Sequence, residues 1–114
     1  MSAIAGAAVY EATKYLFNHH LDNNIYFPYT FDCSYFVQYC YKKVGVNLPR
    51  ITSEQINCGK AVSQPNLKIG DLVFTKPDHV GLYVGNGNFI HVQETNGPVK
   101  INNVYAFYAG RRVA

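Results

Sequence analysis

The hydrophobic period of this chain changes once, from helical spacing before residue 58 to strand-like spacing after Asn66. Residues 3–18 are Ala-rich, with Val9, Ala12, Tyr15 and Leu16 near helical spacing. An aromatic loop broken by Pro28 occupies residues 23–31. Asp32 is a good N-cap for a second helix over 32–44, whose stripe is Cys33, Phe36, Val37, Cys40, Tyr41 and Val44, with Gly45 as its stop. A short third helix is expected from Thr52, with Gln55 at the capping-box position. Residues 71–74, 80–84, 88–92, 99–102 and 105–112 read as strands parted by Gly, Pro and Asn. Helices first and strands later define an α+β fold, with N-terminal helices packed on a C-terminal antiparallel sheet. A length of 114 residues suits one domain, 1–114.

Charge and composition narrow the function. Ten Lys and Arg against seven Asp and Glu give a net charge of +3, and Lys42-Lys43 and Arg111-Arg112 are isolated pairs rather than a basic run. Nucleic-acid binding, which needs clustered cations, is not expected. Nor is a membrane span, since no stretch approaches about 18 apolar residues. The apolar run at 3–9 lacks a basic leader and makes a poor signal peptide, so delivery by another route, or as part of a longer chain, is expected. Three widely spaced cysteines do not form a disulfide framework. Ten tyrosines suit the rim of a substrate groove, although core packing explains most of these rings equally well.

Cys33 carries the chemistry. At the first turn of a helix its sulfur meets free N–H groups and the positive end of the helix dipole, which favour a thiolate. Cys40 and Cys58 read as inert core residues. A thiol nucleophile needs a base, and the base an orienting partner. His19 and His20 fall at the end of the first helix and read as surface residues, which leaves His79 and His91 on the two arms of a hairpin. A two-residue Asn86-Gly87 turn would set apolar residues against polar ones and send the histidines to opposite faces. A three-residue Gly85-Asn86-Gly87 loop instead pairs Val84 with Asn88, Leu82 with Ile90 and Val80 with Val92. One face is then apolar, and the other carries His79, Gly81, Tyr83, Phe89, His91 and Gln93. The histidines become diagonal neighbours about 7–8 Å apart, with Gly81 leaving room between them. His79 is expected to take the thiol proton, and His91 to bind its other nitrogen and fix its tautomer. One oxyanion donor is the Cys33 N–H; the second is sought in the preceding loop, where Tyr26 and Tyr29 offer hydroxyls.

Asp32-Cys33-Ser34, Phe36-Val37-Gln38-Tyr39, Gly70-Asp71-Leu72-Val73-Phe74, His79-Val80-Gly81-Leu82-Tyr83-Val84-Gly85-Asn86-Gly87 and Phe89-Ile90-His91 together closely resemble the NlpC-type cell-wall peptidases, over about residues 26–101. The resemblance implies a papain-like fold and a catalytic set of Cys33, His79 and His91. It also implies hydrolysis of peptidoglycan stem peptides, typically between D-glutamate and a diamino acid, at the bacterial cell wall, without a cofactor. Tyr26, with Tyr29 in reserve, matches the tyrosine that binds substrate or lines the oxyanion hole, and Asp32 and Ser34 flank the nucleophile at the substrate edge. Two positions depart from the family pattern. Tyr35 replaces a glycine, and residues 27–31 lack a Gly-Gly turn, so both add bulk near the sulfur. Targeting would fall to a parent assembly such as a virion, a secretion system or a mobile element.

Rival readings use the same residues differently. An amidase or crosslink-cutting peptidase would share the site, and a deamidase toxin would suit so small a chain. Acyltransferases of related fold place histidine before cysteine, the reverse of this order. A metal site of Cys33, His79, His91 and another cysteine lacks any Cys-x-x-Cys or His-x-x-x-His pair. A non-catalytic wall-binding or assembly module would have no need of a base and its orienter.

Overall fold

A computed structural model describes residues 2–16, 32–94 and 97–114. Helix α1 spans Ala3–Thr13, α2 Cys33–Lys42 and α3 Thr52–Gln55. Strands follow as β1 Lys60–Ala61, β2 Leu72–Lys76, β3 His79–Gly85, β4 Asn88–Val92, β5 Val99–Asn103 and β6 Ala109–Arg112. They form a six-stranded sheet in the order β1-β6-β2-β3-β4-β5, in which every neighbouring pair is antiparallel. The expected α+β architecture is therefore present.

The helices lie against the middle of the sheet because their apolar stripes have nowhere else to go. Ala5, Ala8 and Ala12 of α1 are buried, and their small side chains let α1 approach α2 closely. From α2, Phe36, Val37, Cys40 and Tyr41 are all buried, and they join a core with Leu72, Phe74, Val80, Leu82, Ile90 and Val92 of the sheet. Asp32 caps α2 by accepting from the Tyr35 N–H at 2.7 Å. The helix ends at Lys42, two residues before the expected Val44, and closes through Gly45 with the Val46 N–H on the Tyr41 carbonyl. Cys40 is the inert core residue expected of it. Cys58 is not: it is half-buried, its thiol donating to the Glu54 carbonyl.

Three local expectations give way to tertiary contacts. Helix α3 starts at Thr52 as expected, but Ile51 stands at its cap with no side-chain bond, and Gln55 turns fully inward. Its Nε2 donates to the carbonyls of Ser34 and Pro49 at 3.0 and 2.8 Å, so it ties α3 to the start of α2 instead of closing a capping box. The last strand begins at Ala109 rather than at residue 105, and β1 is a two-residue strand that pairs with β6. So short a strand carries no periodicity of its own. Helix α1 ends at Thr13, before the expected 18; residues 17–31, with His19, His20, Tyr26 and Tyr29, lie outside the described residues.

The β3–β4 hairpin combines features of both registers considered from sequence. Leu82 faces Ile90 and Tyr83 faces Phe89, as the apolar face demands. The turn itself, however, is the two-residue one: Gly85 pairs with Asn88, and Asn86 and Gly87 both take positive φ, 54° and 77°. A bulge between Tyr83 and Gly85 absorbs the extra residue, so the turn and the buried face are each satisfied. Gly81 sits where the hairpin is tightest. A β-carbon there would lie 2.7 Å from the Ile90 carbonyl oxygen and 2.8 Å from His91 Cβ. Gly81→Ala is accordingly expected to lower stability by about 2–3 kcal/mol, the upper range for overpacking a buried site. Urea denaturation checks this, and an unchanged midpoint would show that the strands part freely.

Candidate active site

The start of α2 and the start of β3 together line a cleft of about 750 Å³. Cys33, the first residue of α2, and His79, the first of β3, both face it, along with Asp32, Ser34, Arg50, Lys76, Asp78, Glu94 and Tyr105. Cys33 Sγ lies 3.7 Å from the Asp78 carbonyl oxygen, immediately beside His79 in the chain. The expected histidine pair is present. His79 Nε2 is 2.8 Å from His91 Nδ1, with the rings nearly perpendicular at 79°. His91 stands behind His79, 1% exposed, and its ring stacks on Phe89 at 4.1 Å between centroids. That stack and the close approach at Gly81 leave His91 little rotational freedom.

A further residue joins the line, one that neither motif nor spacing marked. His91 Nε2 is 2.8 Å from Asn102 Oδ1, on β5. Asn102 sits opposite Phe89 in the β4–β5 register, on the face that carries His91. A β4–β5 pairing drawn from the alternating patterns could have found it, since only residues two apart on β5 share that face.

The cap of α2 is a second organised cluster. Arg50 grips the Asp32 carboxylate with both terminal nitrogens, at 3.1 and 2.9 Å, and donates to Ser34 Oγ at 3.0 Å. Its guanidinium lies over the Tyr35 ring, 5.0 Å from the centroid. The residue that stands in place of the family's glycine is therefore a platform for Arg50. Asp32 and Ser34 are brought to the cleft beside Cys33, as expected, but engaged with Arg50. Arg50, like Asn102, carries no local sequence signal, because its partners lie 16 and 18 residues away.

The charge states differ from the sequence expectation. Burial pushes the Cys33 thiol up, and the nearby Asp32 carboxylate adds to this. The N–H groups of Val80, Ser34 and Cys33 itself act against it but do not prevail. The helix start is thus real but outweighed, and the resting sulfur is a thiol rather than the expected thiolate. Burial likewise pushes His79 down to about 4, helped by His91 and Lys76 and opposed by Asp78. His91 is lowered by burial and by Lys100, against the raising effect of its bond to Asn102. The site at neutral pH therefore holds a neutral thiol and two neutral imidazoles. Such a set can move a proton from sulfur to nitrogen as a nucleophilic attack proceeds. Among the described residues no group of three His, Cys, Asp or Glu side chains could hold a metal ion.

Known proteins resemble this chain in sequence and in fold. The sequence model of the NlpC/P60 family matches residues 12–114, and the chain belongs to that family. It is 44% identical over 82 residues to the "Probable endopeptidase p60" of Listeria innocua, covering 68% of this chain and 17% of that protein. It is 44% identical over 73 residues to the murein DD-endopeptidase MepS/murein LD-carboxypeptidase of Escherichia coli, covering 60% of this chain and 39% of the relative. The chain thus spans well under half the length of these relatives. The NlpC/p60 domain of the peptidoglycan hydrolase SagA superposes with a TM-score of 0.79 at 29% identity, over 96% of this chain and 98% of that one.

The lowered imidazoles make the fold acid-sensitive. The unfolded chain protonates these histidines near their ordinary pKa of 6.5, before the folded chain does, so unfolding takes up protons. The contribution is present in full above about pH 6.5 and is lost as pH falls towards 4, by roughly 2–3 kcal/mol. Urea midpoints measured across that window should fall, and His79→Gln should flatten the profile; parallel profiles would contradict the buried neutral pair.

Proposed function

We propose that this protein is a cysteine endopeptidase that hydrolyses peptidoglycan stem peptides at the bacterial cell wall. In this reading Cys33 is the nucleophile, His79 the base and His91 its orienting partner. The observation that carries it is the 2.8 Å bond from His79 Nε2 to His91 Nδ1, made behind a cleft that the Cys33 thiol shares with His79. With Nε2 engaged, Nδ1 is the nitrogen of His79 left to take the thiol proton.

The reaction follows from these placements. As Sγ attacks the peptide carbonyl carbon, its proton passes to His79, whose new positive charge is steadied through Nε2–H by His91. The negative oxygen of the tetrahedral intermediate is met by the Cys33 N–H and, by resemblance, by the hydroxyl of Tyr26, or else of Tyr29. Its collapse expels the amine, which takes the proton from His79 and leaves a thioester. Water then enters, gives a proton back to His79, and releases the acid and the free thiol. Because thiol and imidazole both rest neutral, the charge pair exists only during the reaction, when the surrounding N–H groups count most.

The cleft supports a polar peptide as substrate. Lys76 on its wall suits a carboxylate and Glu94 an amine, the groups that a glutamyl–diamino acid junction displays. That junction is the proposed bond. The relative named as a DD-endopeptidase supports a second reading, in which the same site cuts the crosslink between stems.

Defined muropeptides with product termini read by mass spectrometry separate the two bonds. Cys33→Ala and Cys33→Ser should lose at least about a thousandfold in turnover with an unchanged melting temperature; retained hydrolysis by either would end the nucleophile assignment. His79→Ala should slow turnover by about 10²–10⁴. His91→Ala should slow it less, since it orients rather than transfers, and equal or reversed losses would undo that division of roles.

A further inference from the structure

Resting on the reading above, we infer that Asn102 is a positioning residue that sets which nitrogen of His79 is free to accept a proton. The hydrogen positions are linked along three side chains. An amide oxygen can only accept, so with Asn102 Oδ1 2.8 Å from His91 Nε2, the hydrogen of that bond sits on Nε2. A neutral imidazole carries one N–H, so His91 Nδ1 presents a lone pair. That lone pair lies 2.8 Å from His79 Nε2, which must then hold the hydrogen of the second bond. His79 Nδ1 is left bare. One acceptor on β5 thus fixes the tautomer of a ring two links away, at the mouth of the cleft.

The direction of this line matters because its reverse is inactive. Were a donor to face His91 Nε2, the hydrogen of His91 would move to Nδ1 and point at His79 Nε2. His79 would then carry its own hydrogen on Nδ1, and the thiol would meet an N–H instead of a base. The Asn102 direction also serves the charged state, since His79 Nε2–H donates to His91 Nδ1 both before and after Nδ1 takes a proton. Proton uptake needs no ring flip and no new partner.

A neutral acceptor suits this place better than a carboxylate. Around the line stand Cys33 from α2, Lys76 at the end of β2, Asp78 from the β2–β3 turn and Lys100 from β5 opposite His91, with Glu94 and Tyr105 sharing the cleft. Burial and Lys100 hold His91 neutral against the raising effect of the Asn102 bond. An aspartate at this position would add a negative charge and draw a second proton onto His91. That imidazolium would donate from Nδ1 to His79 and reverse the line until the pH rose above its pKa.

Three proteins and two measurements test this. Long-range ¹H–¹⁵N spectra of the imidazoles should show Nε2–H for both His79 and His91 in the wild type, and mixed tautomers in Asn102→Leu. Turnover of muropeptides should fall roughly 10- to 100-fold in Asn102→Leu at every pH. In Asn102→Asp the acid limb of the pH profile should move to higher pH, with the rate recovering towards wild type above it. A merely structural role would lower the Leu and Asp variants alike, without moving the limb. The inference is overturned by a wild-type spectrum with Nδ1–H on His79, by unchanged tautomers in Asn102→Leu, or by an unmoved limb in Asn102→Asp. A wild type that shows the stated tautomers yet cuts no muropeptide would instead overturn the peptidase reading and leave the hydrogen-bond assignment standing.

Discussion

The hydrogen bond between His79 and His91 is the contact on which the site's geometry depends, and it is a product of strand register. Side chains alternate along a strand, so the pairing of Leu82 with Ile90 puts the two rings on one face, and a one-residue slip would part them. That pairing is imposed from the opposite face, where Val80, Leu82, Ile90 and Val92 must all meet the helices. The apolar core therefore aligns the polar pair. The bulge before Asn86-Gly87 lets the turn adopt its preferred shape without disturbing that alignment. Gly81 then removes the one β-carbon that would hold the strands apart at the rings.

Burial gives the site its electrostatic character. A thiol at a helix start is expected to ionise, yet enclosure outweighs the helix here and keeps sulfur and imidazole both neutral. The same enclosure makes hydrogen-bond direction decisive, because a neutral imidazole offers one donor and one acceptor that cannot be exchanged freely. Asn102 matters for this reason. At the helix start, Arg50 answers the Asp32 carboxylate, which otherwise raises the thiol further. Tyr35 beneath the guanidinium gives a role to one of the two departures from the family pattern.

Much of this was legible in the residues. The Asp32 cap, the stripe of α2, the shared face of His79 and His91, and the space at Gly81 follow from local rules of spacing and turn shape. The long-range partners were not. Gln55 reads as half of a capping box but is drawn inward by the carbonyls of Ser34 and Pro49. Arg50 and Asn102 look like ordinary surface residues until α3 and β5 are in place. The protonation of Cys33 is not legible in the sequence, because the helix dipole can be read from a sequence position whereas burial cannot.

Sequence alone determined the order of helices and strands, the helix-start thiol and the face on which the two imidazoles fall. These rest on periods of 3.6 and 2 and on the backbone freedom of single residues, all properties of neighbours along the chain. Tertiary structure decided how the six strands are ordered, which way the hydrogen bonds run from Asn102 to His79, and that the resting thiol stays protonated. These depend on which distant groups share an enclosed space, and on how much water that space leaves them.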